Sequence, residues 1–214
     1  MTKINTSSHK NLINYYDPAI INETPMSSIM LYNYYYDHTK YLIDYVESEF
    51  NEVPYVLNNE IRAMFGHLSK HSTRFDLSNF ELKKAYGHFR RLNLDAFKLL
   101  CNEYDIFFSS FLNKSYKYSF KKIDKDFILN YATAYYLARK KYLDAQNCES
   151  VGSNSDENVY KAYLEAFQKY MELKEIHMNK IKDINEIIIK TRIVKFISVA
   201  WIIIMTIATI IPFF

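Results

Sequence analysis

Apolar residues recur along this chain at helical spacing, in long runs separated by short polar breaks. Ser27 or Ser28 can cap a first helix to about Phe50, on which Ile29, Tyr32, Tyr36, Leu42, Ile43 and Val46 share a broad face. A second helix is predicted from Pro54 to about Ser72. A third, capped by Asp76, Ser78 or Asn79 with Glu81 in its first turn, runs to Leu112. Beyond a basic loop from Asn113 to Lys122, a fourth runs from Asp124 to about Asn147. The stretch CESVGSNSDEN, 148–158, reads as a linker with Gly152 as its stop. Residues 1–26 are a polar arm broken by Asp17-Pro18 and Thr24-Pro25. No internal repeat is expected.

After the linker Ser155 can cap a fifth helix, with Asp156 and Glu157 at its positive end. No breaker follows before Pro212, so a single rod of more than fifty residues is expected. Val159, Tyr163, Ala166, Tyr170 and Leu173 are spaced four, three, four, three. After a slip at His177 the pattern resumes with Ile181, Ile184 and Ile188. A heptad with one stutter packs against copies of itself or against its own bundle.

The rod ends in FISVAWIIIMTIATIIPFF, Phe196 to Phe214, without a charge or a glycine. As a helix it spans roughly 28 Å, close to a bilayer's hydrocarbon core. The expectation is a C-terminal membrane anchor. Lys190, Arg192 and Lys195 precede it and hold that end in the cytoplasm, leaving the N-terminal domain cytosolic at the inner (plasma) membrane. The organisation is then an arm (1–26), a cytosolic bundle (27–150), a juxtamembrane helix (155–192) and a transmembrane helix (193–214).

Composition supports an all-α fold. Three glycines and four prolines in 214 residues are too few for the turns of a sheet, while twenty Tyr and fifteen Phe supply a core. Cys101 and Cys148 lie far apart and read as free thiols. A net charge of +3 does not by itself imply nucleic acid. At 100° per residue, with Ser198 at zero, Thr209 falls near 20°, Lys195 near 60°, Thr206 near 80° and Met205 near −20°. These five make one polar-leaning face of the span, fit for packing against copies or lining a pore.

The densest chemistry lies in EIRAMFGHLSKHSTRFDLSNFELKKAYGHFRRLNLDAFK, 60–98. Arg62, Lys70, Arg74, Lys83, Lys84, His88, Arg90 and Arg91 form a basic field for an anionic ligand, with Tyr86 and Phe89 as stacking surfaces. Ordinary ion pairs with Glu60 or Asp95 are the plainer account of the same cations. His67 and His71, with His88 nearby, lack the carboxylate or thiolate of a zinc site, and no metal or cofactor is expected. Arg62 and His67 form R-x4-H, which resembles the motif of HEPN ribonucleases, small helical bundles. That resemblance implies His67 as acid/base and Arg62 on phosphate charge, although the family's motif lies later in its bundle.

A helical domain ending in one span resembles the small membrane effectors of bacterial anti-phage systems. The stretch EIRAMFGHLSKH…ELKKAYGHFRR…LDAFKLL is similar to a helical module of such proteins, most of all the channel-forming effector of Hailong-type systems. That resemblance implies a homo-oligomeric channel, a nucleotidyltransferase partner, and control by its DNA or nucleotide product. A helical scaffold that localises a partner protein is the structural alternative.

Overall fold

The computed structural model describes residues 27–73, 78–117, 125–151 and 156–210. At 73, 78, 114–117, 125, 156, 181–185, 187, 188, 191 and 204–210 it describes the backbone alone. The described chain is helical, without a strand. Its elements are α1 (Ser28–Tyr34), a π-helical turn (Tyr35–Thr39), α2 (Lys40–Phe50), α3 (Tyr55–Thr73), α4 (Ser78–Lys117), α5 (Lys125–Ser150) and α6 (Asp156–Ile210). The arm 1–26, Arg74, Gly152, residues 118–122 of the expected basic loop and Pro212 lie outside the described residues, while 113–117 of that loop instead continue α4.

Ser27 caps α1, its Oγ accepting from Met30 N at 3.2 Å. The π turn breaks the regular register of the first helical stretch. Leu31, Thr39, Leu42, Ile43, Tyr45 and Val46 are buried, whereas Ile29, Tyr32 and Tyr36 face outward. The face expected from a uniform 100° step is therefore correct only beyond the π turn. Asn51, at φ 61°, closes α2 in the left-handed region that Asn tolerates.

The chain divides into two compact units. One holds the described residues up to Ile106 together with Leu137–Met171; the other begins with Phe107–Tyr136 and Glu172 onward. The first has an aromatic core. Phe97 meets Tyr160 and Phe167 at 5.6 and 5.2 Å between ring centroids, and Tyr104 meets Phe167 and Tyr170 at 6.4 and 6.2 Å. Tyr45 and Tyr104 share a hydroxyl–hydroxyl hydrogen bond, and burial pushes both phenols up. Cys101 and Cys148 are free thiols, and Cys101 is buried.

Val159, Tyr163, Ala166, Tyr170 and Leu173 are all buried within the chain. Packing in the bundle thus occupies this stripe of the long helix, and it is not available for a coiled coil between copies. His177 is buried too and takes the next place in the four–three rhythm; the slip that follows it, a second step of four to Ile181, falls on a side chain outside the described residues. The side chains of Ile181, Ile184 and Ile188 lie outside the described residues.

In the second unit His177 sits in an aromatic cage. Its ring lies 5.2, 6.0, 4.8 and 5.9 Å from those of Phe107, Phe108, Phe111 and Tyr131. Tyr131 Oη lies 3.2 Å from its Nδ1. Burial pushes the imidazole down to about 4, so it is neutral.

α6 is one continuous helix of 55 residues. From Arg192 to Ile203 its side chains are exposed all round the axis, apart from half-buried Ala200. Among the described residues no helix is long and apolar enough to cross a membrane. The segment expected to do so, Phe196–Phe214, has described side chains only to Ile203.

Candidate functional site

α3 and α4 are antiparallel. Glu60 of α3 pairs with His88 of α4, and Glu81 of α4 pairs with His67 of α3. Each carboxylate Oε2 lies at hydrogen-bond distance from the partner's Nδ1, 2.6 Å for His67 and 2.7 Å for His88. An ionised carboxylate only accepts, so each Nδ1–H donates. The two imidazoles are stacked, 5.2 Å between centroids and 13° between planes.

This reciprocity exposes an internal repeat, contrary to the sequence expectation. Residues 60–70 read EIRAMFGHLSK, and 81–91 read ELKKAYGHFRR. Glu, Gly and His coincide at positions one, seven and eight; Ile/Leu, Arg/Lys, Phe/Tyr and Lys/Arg match in kind. Each position type does the same work in both helices. Met64, Ala85, Tyr86 and Phe89 enter a core under Leu31, with Phe65, Leu68 and Leu82 packed on it. The Glu–His positions form the seam. The remaining face carries Arg62, Gly66 and Lys70 on α3 and Lys83, Gly87 and Arg91 on α4, each set at i, i+4, i+8.

Gly66 and Gly87 are helical, and a Cβ at either would meet nothing within 4 Å. Glycine in a helix interior costs about 1 kcal/mol relative to alanine, and no contact within the chain calls for it here.

The basic field is partly neutralised by the seam, as the ion-pair account anticipated for Glu60. Arg91 Nε is 3.3 Å from Glu60. Lys84 lies 3.8 Å from Glu81 and 4.1 Å from the centre of the Phe80 ring. Arg90 covers Tyr86 at 5.9 Å, so Tyr86, like Phe89, is a core ring and not a free stacking surface. Asp95 pairs with Lys98, not with an arginine. Arg62, Lys70 and Lys83 are exposed. His67 draws the Glu81 carboxyl below the usual carboxylate range by its hydrogen bond, against the opposing effect of burial.

The R-x4-H pair is not assembled as one unit. Five residues place Arg62 and His67 about 140° apart on α3. His67 lies in the seam while Arg62 is on the exposed face. The described residues hold no group of three or more metal-ligating side chains, and His71 is half-buried. On α6, the Ser198 hydroxyl donates to Val194 O of its own helix at 2.8 Å, and Lys195 is exposed. The side chains of Met205, Thr206 and Thr209 lie outside the described residues.

Sequence reading found His67, His88 and the cations but not the pairing of Glu81 with His67 or the match of Gly66 with Gly87 in the repeat. The signal was E-x-[RK]-x3-G-H, repeated 21 residues apart. Comparison with family models, curated proteins and solved structures returns no match for this chain.

Proposed function

We propose that this protein is a membrane effector. A helical head rides on α6, whose distal end enters the bilayer of a bacterial cell, and the α3–α4 face receives an anionic ligand that controls it. One observation carries the reading: α6 continues without a break to Ile210 while Ile193, Val194, Phe196, Ile197, Val199, Trp201, Ile202 and Ile203 stand exposed around its axis. Burying each such side chain is worth about 1.5–3 kcal/mol, and lipid supplies that burial on every side at once. The uncharged, largely apolar sequence 196–214 continues the pattern to bilayer length.

Its action there is self-assembly through the span into an ion-conducting path, as in the anti-phage effectors that the chain resembles. A nucleotidyltransferase partner would supply the ligand. The head's heptad stripe is already used inside the chain, so assembly falls to the span. The experiment is controlled expression in bacteria with membrane fractionation and a potential-sensitive dye. The reading requires an integral membrane protein whose expression depolarises the cell. A protein recovered without detergent, or one that leaves the potential intact under every condition that halts growth, overturns it.

A further inference from the structure

α6 gathers its last charges into one short band where its exposed apolar section begins. From Glu186 to Phe214 the sequence holds three cations, Lys190, Arg192 and Lys195, and one carboxylate, Glu186 itself. The cations span about 7.5 Å of helix. At 100° per residue Arg192 and Lys195 fall about 200° and 140° from Lys190, so positive charge stands on opposite sides of the rod. All three are exposed. Glu186 offsets them little. Its carboxylate lies 3.9 Å from Lys190 Nζ, and both side chains are more than half exposed, which leaves the pair weak in water.

Apolar side chains fill the spaces between these charges. Ile189, Ile193 and Val194 are exposed at and within the band, and Phe196 and Ile197 are exposed just past it. A nucleic-acid strand or an acidic protein surface reaches one side of a helix. The headgroup layer of a bilayer surrounds an entering helix on every side. That layer is roughly 5–8 Å deep in each leaflet, the length of the band, and it sets phosphate charge directly above acyl chain. Lysine and arginine fit such a boundary, because their stems lie along apolar surface while their charged ends reach outward.

We propose that Lys190, Arg192 and Lys195 bind the headgroups of anionic phospholipids, so that α6 collects these lipids around its point of entry. The proposal rests on the reading that α6 enters a bilayer, and adds which lipid it meets there. A zwitterionic headgroup carries its own cation beside the phosphate; an anionic headgroup leaves the negative charge uncancelled. Arginine holds a phosphate through paired N–H donors, lysine as a point charge. Each cation near an anionic surface strengthens the attraction by about fivefold.

The chain carries its own reporter for the test. Trp201 is the one tryptophan, it is exposed, and it lies about 9 Å along the helix from Lys195. The full chain is reconstituted into phosphatidylcholine vesicles containing a minor fraction of acyl-brominated lipid, either phosphatidylglycerol or phosphatidylcholine. Bromine quenches indole fluorescence at contact, so the two series report which lipid lies against α6. Brominated phosphatidylglycerol should quench at about a fivefold lower mole fraction. That advantage should shrink between about 0.1 and 1 M salt, as the screening length falls from about 10 to about 3 Å. Exchanging the three cations together, Lys190→Gln, Arg192→Gln and Lys195→Gln, should equalise the two lipids and leave quenching by phosphatidylcholine unchanged. Glu186→Gln should widen the difference. Equal quenching of the unaltered protein by both lipids overturns the proposal while membrane entry stands, and would leave the cations to an acidic protein partner. A preference that survives loss of all three cations overturns it as well. Quenching by neither lipid overturns membrane entry and the proposal with it.

Discussion

The Tyr131 hydroxyl and His177 Nδ1 lie within hydrogen-bond distance, 3.2 Å apart, inside an otherwise aromatic cage. The ring is 3% exposed and pushed down to about 4. Folding favours its neutral form, so its contribution is complete above the unfolded pKa near 6.5 and is lost as pH falls from 6.5 to 4. Destabilisation over that window should reach roughly 3 kcal/mol, read from denaturant unfolding at several pH values. His177→Phe should flatten the acid limb; an unchanged limb would show that His177 does not set it.

Glu81 gives an acid dependence that begins lower. Its folded-state carboxyl is depressed, first of all by the His67 hydrogen bond, so its stabilisation is present above the ordinary carboxylate pKa and lost as pH falls through the folded value. Glu81→Gln should remove that component and leave the His177 window intact. Unfolding curves for the two variants, compared at pH 5 and below, separate the residues. Identical profiles would contradict the assignment.

Phe167 touches Tyr45, Phe97 and Tyr104 in one cluster and is 1% exposed. Phe167→Ala should cost about 3–5 kcal/mol, measurable as a lower denaturation midpoint. Tyr45→Phe should cost about 1–3 kcal/mol because it removes a partner of the buried Tyr104 hydroxyl. Adding Tyr104→Phe should cost less than a second such loss, and strict additivity in a double-mutant cycle would count against the shared hydrogen bond.

Replacing Phe196–Phe214 with polyleucine keeps the length and removes the hydroxyls. A span that assembles through its polar face should then be membrane-bound and inactive, as judged by growth and membrane potential. Ser198→Ala alone should change little, because that hydroxyl already bonds to Val194 O. Full activity of the polyleucine form would return the function to the head.

Glycine scarcity, aromatic supply and apolar spacing were enough to read an all-α chain and a fifth helix running without interruption, because helix formation is local and its breakers are visible. Ser27 as a cap and the buried row from Val159 to Leu173 follow from the same short-range rules. Two outcomes were not local. The π turn at Tyr35–Thr39 turned Ile29 and Tyr32 outward, since one wider turn shifts every side chain before it relative to those after. The roles of Glu60 and Glu81 depended on which helix faces which. Each lies two helical turns before the histidine of its own helix, and antiparallel packing gives each the histidine of the other. Sequence spacing supplied both halves of that exchange; only the tertiary structure could join them, because the partner of a seam residue is set by the packing of the apolar positions beneath it.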